Sequence, residues 1–159
     1  MSKEHHYSLT VKWTGNTGEG TNNYTAYNRS HSISSVNKME IECSSDPSFR
    51  GDKTKYNPEE LLVASLSACH MLSYLHLCAE VGVIVTDYSD DATGTMLQTN
   101  DGGGHFTEVT LYPEVTIANE SMISKAIELH HTANQRCFIA SSCNFPVHHK
   151  PTIKIKAFN

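Results

Sequence analysis

The chain has 159 residues, 38% of them hydrophobic, and a formal charge of −5 from 12 Lys and Arg against 17 Asp and Glu. That length suits one globular domain and is too short for two ordinary ones. No basic excess is present to bind a nucleic-acid backbone or an acidic membrane surface, so neither is expected as a partner, and residues 1–10 lack the apolar run of a secretory signal.

Tyr7, Leu9, Val11 and Trp13 alternate with polar residues, the period of a half-buried strand, and the turn-rich stretch 15–23 ends it. A second strand is expected over residues 24–33 and a third over 36–43. Residues 44–56 are charged and punctuated by Pro and Gly, so no regular element is expected there. Asn57-Pro58-Glu59-Glu60 is a helix start: Asn caps, Pro suits the first helical position, and Glu60 stands where its carboxylate reaches back to the cap's amide. The next nineteen residues, 61–79, contain no Asp, Glu, Lys or Arg, and Gly82 is a plausible stop. Three serines, two histidines and a tyrosine make this stretch too polar for hydrocarbon, so a buried helix of a globular domain is expected. Residues 83–97 and 105–117 read as two long strands joined by the Asn100-Asp101-Gly102-Gly103-Gly104 turn. From Ser121, the residues Met122, Ile123, Ala126, Ile127, His130, Ala133 and Cys137 recur at helical spacing until Asn144-Phe145-Pro146. Residues 152–157 alternate as a last strand. The layout is βββ-α-ββ-α-β, an α+β fold.

Cysteines stand at 43, 69, 78, 137 and 143. An odd number, no zinc-knuckle spacing and no export signal argue against a structural disulfide framework and for a reducing, cytoplasmic setting, where a pair that does oxidise is usually catalytic or redox-sensing. Cys69 falls midway along the first helix and Cys137 near the end of the second; spacing alone favours two small buried hydrophobes, which is what most free cysteines are. The pairs His130-His131 and His148-His149 do not complete a metal set, because neighbouring residues on a helix point about 100° apart, and neither a metal nor a cofactor is expected. His70 and His76 are expected as interface or core polar groups.

The run Asn57-Pro58-Glu59-Glu60-Leu61-Leu62-Val63-Ala64-Ser65-Leu66-Ser67-Ala68-Cys69-His70 resembles the NPEEL…AACF helix of the OsmC/Ohr family, the osmotically inducible and organic hydroperoxide resistance proteins. His130-His131-Thr132-Ala133-Asn134-Gln135-Arg136-Cys137-Phe138-Ile139-Ala140 is similar to the family's second cysteine segment. The resemblance implies antiparallel sheets around two central helices, and an intertwined homodimer with active sites at the subunit interface. It also implies a thiol-dependent peroxidase for organic hydroperoxides, with Cys69 as the peroxidatic thiol, Cys137 as the resolving thiol, Glu59 as the matching carboxylate and a dithiol reductant of lipoyl type. The sequence departs from the family pattern after the first strand, where GNTGEG carries Glu19 and no Arg. Arg29, on the expected second strand, is the candidate activating cation ahead of Arg50 and Arg136, because a strand can hold a guanidinium fixed beside a carboxylate. Cys143 is a rival resolving thiol. Leu62, Leu66, Met71 and Leu72 lie near Cys69 in sequence and suggest an apolar lining. A dimer of the same fold that binds a small apolar ligand without catalysis, or is purely structural, is the alternative, favoured by the missing Arg.

Overall fold

The computed structural model describes residues 3–156, and the chain forms two compact units, Met1–Leu61 and Leu62–Asn159.

The first unit holds an antiparallel sheet of three short strands, β1 (Thr10–Trp13), β2 (His31–Ser34) and β3 (Ile41–Cys43), in that order. All three are shorter than their alternation predicts. Tyr7 and Leu9 precede β1 and are exposed, and residues 24–30 form a turn, an isolated bridge from Tyr27 to Asn16 and irregular chain rather than the start of β2. Folding back explains this. Trp13 donates its indole N–H to the Asn28 carbonyl at 2.8 Å, and the Asn28 amide bonds to Gly15 O at 2.9 Å. A Cβ on Gly15 would lie 1.9 Å from Asn28 O, so only glycine permits so close an approach. The charged loop also contains an unexpected 3-10 turn, Pro47–Phe49, capped by Asp46, whose carboxylate accepts from the Ser48 amide at 2.7 Å. The turn ends on Arg50 in the left-handed region, φ 65°.

Helix α1 (Pro58–Val81) is one 24-residue element. Its start has the expected reciprocal cap: the Glu60 amide donates to Asn57 Oδ1 at 2.8 Å, and the Asn57 amide donates to Glu60 Oε2 at 3.1 Å. Its end closes on Gly82 at φ 78°, with the Val83 amide bonded to Cys78 O at 2.9 Å. That is the six-to-one bond of a Schellman stop. The buried residues Leu66, His70, Tyr74, Leu77 and Cys78 form one stripe, whereas Leu72 on another face is 63% exposed. Within one chain the helix is therefore buried on a stripe rather than all round.

The expected long hairpin is broken into four strands, β4 (Val85–Asp90), β5 (Thr93–Gln98), β6 (Gly104–Leu111) and β7 (Pro113–Ile117). β5 and β6 pair antiparallel in one sheet and β4 and β7 in another. Asp90 sits at the break. One oxygen accepts the Tyr112 amide at 2.6 Å and the other the Ser67 hydroxyl at 2.6 Å, which draws the ladder away from its neighbour and ties it to α1. The chain then forms a 3-10 turn, Glu120–Met122, capped by Asn119, and α2 (Ile123–Arg136). A separate four-residue helix follows, α3 (Phe138–Ser141). Strand β8 (Val147–His149), which the alternation does not signal, joins β6 in parallel, and β9 (Thr152–Ile155) joins β7 in parallel. Parallel neighbours need a crossover, and the α2–α3 segment supplies it. The last strand was expected to reach Ala157, which lies outside the described residues.

Two apolar clusters fill this unit. Tyr74, Leu77, Cys78, Val83, Val115, Ile117, Ala126, Leu129 and Ala133 join α1, α2 and the sheet β4-β7-β9. Leu66, Val109 and Leu111 form the second, with Phe106, Ile139, Phe145 and Val147 packed on it.

Candidate active site

Cys69 is half-buried on α1 and Cys137 is buried, and both are free thiols. Cys137 does not lie on the second helix as its spacing predicts. It ends α2 and begins α3 with extended backbone, φ −73° and ψ 109°, and its sulfur accepts the Ala140 amide at 3.4 Å. The short side chain substitutes for the oxygen of an ordinary cap, which a helical register alone does not foresee. Burial pushes the Cys137 thiol above the ordinary range, and the neighbouring Cys69 thiol raises it further; the Ala140 N–H opposes both. The two cysteines that the sequence separates by 68 positions are thus neighbours in the fold, Cys69 the more exposed.

Beside this pair lies a cluster the sequence does not reveal. His70 Nε2 and His130 Nδ1 are 3.0 Å apart, and both rings are no more than 1% exposed. Their centroids are 5.3 Å apart with 8° between planes. With the nitrogens in contact at that separation, the rings meet edge to edge in one plane, the geometry of an N–H···N hydrogen bond rather than a face-on stack. Tyr74 covers the face of His130 at 3.8 Å and 12°, and its hydroxyl donates to Ala126 O at 3.2 Å. Burial holds His70 down at about 4 and His130 at about 3, with neighbouring imidazoles adding to the effect, so both rings are neutral. His70 is a core group, as expected. His76 is not in the core of the chain; it is exposed, 3.4 Å from Glu80. His131, which follows His130 in sequence, is exposed. The one clue to the buried pair was that His130 occupies an apolar position of the α2 stripe.

Cys43 and Cys78 are buried, and burial raises both thiols, so neither favours the reactive thiolate. Cys143 is half-buried in the second apolar cluster. Glu59 lies in the first turn of α1, and its Oε2 is buried with no hydrogen-bond partner among the described residues. Because α1 is unbroken, the ten residues from Glu59 to Cys69 rise about 15 Å, too far for direct contact along one helix. Arg29 is not on a strand, since β2 begins at His31. It is fixed all the same, but by carbonyls and rings rather than a carboxylate: Nη1 and Nη2 donate to Tyr27 O and Tyr24 O at 2.7 Å each, and the guanidinium stacks 4.2 and 4.3 Å from the two tyrosine rings. Arg29 and Arg50 line a 320 Å³ cavity of the first unit with Asn28, Ser30, Ser44, Gly51 and Asp52. No apolar side chain lines it. Arg136 is exposed in the last turn of α2. Among the described residues, no three His, Cys, Asp or Glu side chains converge as metal ligands.

The family model described as OsmC-like protein matches residues 51–152. No curated protein matches the chain. Among solved structures, the chain is similar to an OsmC-like protein of unknown function from Vibrio cholerae. The identity is 29% and the TM-score 0.83, over 94% of this chain and 100% of that one. It also resembles an OsmC-like protein from Mycoplasma pneumoniae, at 15% identity and TM-score 0.72, over 96% and 99% of the two chains. An organic hydroperoxide resistance protein from Elizabethkingia anophelis matches at 20% identity and TM-score 0.67, over 97% and 100%. The last two likenesses are of fold.

Proposed function

Because this chain belongs to the OsmC-like protein family, we propose that it is a thiol-dependent peroxidase that reduces organic hydroperoxides through Cys69 and Cys137. The single observation that carries this reading is that the two thiols are neighbours, one half-exposed and the other buried and raised by the first. Some fold neighbours are organic hydroperoxide resistance proteins, which agrees with it.

The chemistry follows from the arrangement. The Cys69 thiolate attacks the distal peroxide oxygen, the O–O bond breaks, and the alkoxide takes a proton to leave as the alcohol; the sulfur is oxidised to a sulfenic acid. Cys137 sulfur then attacks Cys69 sulfur, the S–O bond breaks, and the Cys137 proton leaves with the hydroxide as water. A disulfide results, and the sulfenic acid is kept from further oxidation. A dithiol of lipoyl type restores both thiols by exchange, becoming a disulfide itself. In this proposal Arg29 is the fixed cation that favours the thiolate, with Arg50 its competitor. Glu59 orients that cation across a homodimer, acting at the Cys69 of the partner subunit. The setting is cytoplasmic.

One equivalent of cumene hydroperoxide added to the reduced protein should consume two thiols and give a Cys69–Cys137 disulfide on peptide mapping, a bond that needs Cα atoms within about 7 Å. Finding both thiols free, or turnover intact in Cys69→Ser, would overturn the reading. The polar cavity at Arg29 and Arg50 favours a second one, a non-catalytic binding module. Its ligand would be a small hydrophilic anion rather than the apolar molecule the sequence suggests.

A further inference from the structure

We infer that the His70–His130 hydrogen bond is a positioning device that sets how closely Cys137 is presented to Cys69, and so how readily the two sulfurs join. This rests on the two-thiol reading above. Three features carry it.

The bond links the two elements that bear the cysteines, and it does so next to them. His70 follows Cys69 directly on α1, and the two side chains leave the helix about 100° apart. Fixing the rotation of α1 at His70 therefore fixes the direction of Cys69. His130 lies seven residues, about two turns, before Cys137, with the buried Ala133 between them on the same face. Fixing α2 at His130 fixes where that helix ends, and Cys137 is its end.

The bond is also directional on every axis. Coplanar rings joined at 3.0 Å define separation and tilt. Tyr74, one turn beyond His70 on α1, lies flat on His130 at 3.8 Å and blocks it from turning. Two α1 side chains thus hold one α2 ring, one by its edge and one by its face. Leucine packing would permit small slides that this contact does not.

Finally, the arrangement is costly as a means of stability alone. His70 Nδ1 and His130 Nε2 are buried with no hydrogen-bond partner among the described residues, a loss an apolar pair would not incur. Polar pairs of this kind trade stability for a defined geometry, and the geometry defined here is that of the thiol pair.

The test measures the Cys69–Cys137 equilibrium in glutathione redox buffers, by mass mapping, after oxidation with diamide so that it does not depend on peroxide turnover. His70→Phe keeps the ring and removes the bond; its disulfide should be at least tenfold less favoured, a shift of about 30 mV for two electrons. His70→Gln places an amide where Nε2 stood and should stay within about twofold of wild type. His130→Phe cuts the same bond from the other side, keeps the stack on Tyr74, and should match His70→Phe. It carries the test should His70→Phe not fold. Thermal melts of each variant separate stability from geometry. Variants that melt lower but hold the wild-type disulfide equilibrium would overturn the inference while leaving the two-thiol reading intact. A wild-type protein in which diamide joins neither sulfur to the other would overturn both.

Discussion

Lowering the pH should unfold this protein through two buried imidazoles well before its carboxylates matter. His70 and His130 are held at about 4 and about 3 in the folded chain, against an ordinary value of 6.5. Both folded values lie below the unfolded one, so below about pH 6.5 the unfolded chain binds protons that the folded chain refuses. Stability is full above that pH and falls as the pH drops toward the folded values. At about 1.36 kcal/mol per unit, each ring forfeits about 2 kcal/mol by about pH 5, and the pair about 4 kcal/mol. Many domains have only 5–15 kcal/mol in total. The expected slope approaches about 2.7 kcal/mol per pH unit, two protons taken up on unfolding. His149, whose ring centroid is 5.6 Å from that of His70, is also lowered by burial and acts in the same direction. The Asp46, Asp52 and Asp101 carboxyls sit below their usual 3.8 and act only at lower pH. Urea titrations between about pH 7.5 and 4.5 measure the slope, and the His70→Phe, His130→Phe double variant should largely flatten it. A flat wild-type curve in that window, or an unchanged slope in the double variant, would show that the pair is not buried and neutral as described.

Asn57→Ala removes half of the reciprocal cap on α1 and frees the Glu60 carboxylate, so the urea midpoint should fall by the equivalent of about 1 kcal/mol; a change within a few tenths would mean the cap contributes nothing. The intersubunit role of Glu59 predicts complementation. Glu59→Gln and Cys69→Ser should each be inactive alone, yet refolding them together in equal amounts should restore about a quarter of wild-type turnover, since half of the dimers then carry one complete site. No recovery on mixing would exclude that role.

The elements most legible in the sequence are those whose determinants are neighbours. The Asn57-Pro58-Glu59-Glu60 cap and the Gly82 stop bracket α1 to within a residue, because each needs only backbone groups three to five positions away. Strand ends were less legible. Residues 24–30 carry strand-like composition, yet the Trp13–Asn28 contact turns them back. Nothing in the alternation of residues 83–117 marks the break at Asp90, because it depends on Ser67 and Tyr112, each more than twenty positions away.

The candidate site divides along the same line. The pattern of elements along the chain pointed to the α+β class, and two local motifs carried the likeness to the OsmC/Ohr family, which in turn implied Cys69, Cys137 and Glu59, since a motif is a local pattern and carries its meaning in its own residues. Only the tertiary structure decided that Cys137 caps a separate short helix, that Arg29 is held by carbonyls and tyrosine rings, and that the Glu59 of an unbroken α1 stands far from its own Cys69. It alone joined His70 to His130, sixty positions apart. A hydrogen bond between distant segments forms when packing elsewhere delivers both partners to one place, and neither segment records where the other will be.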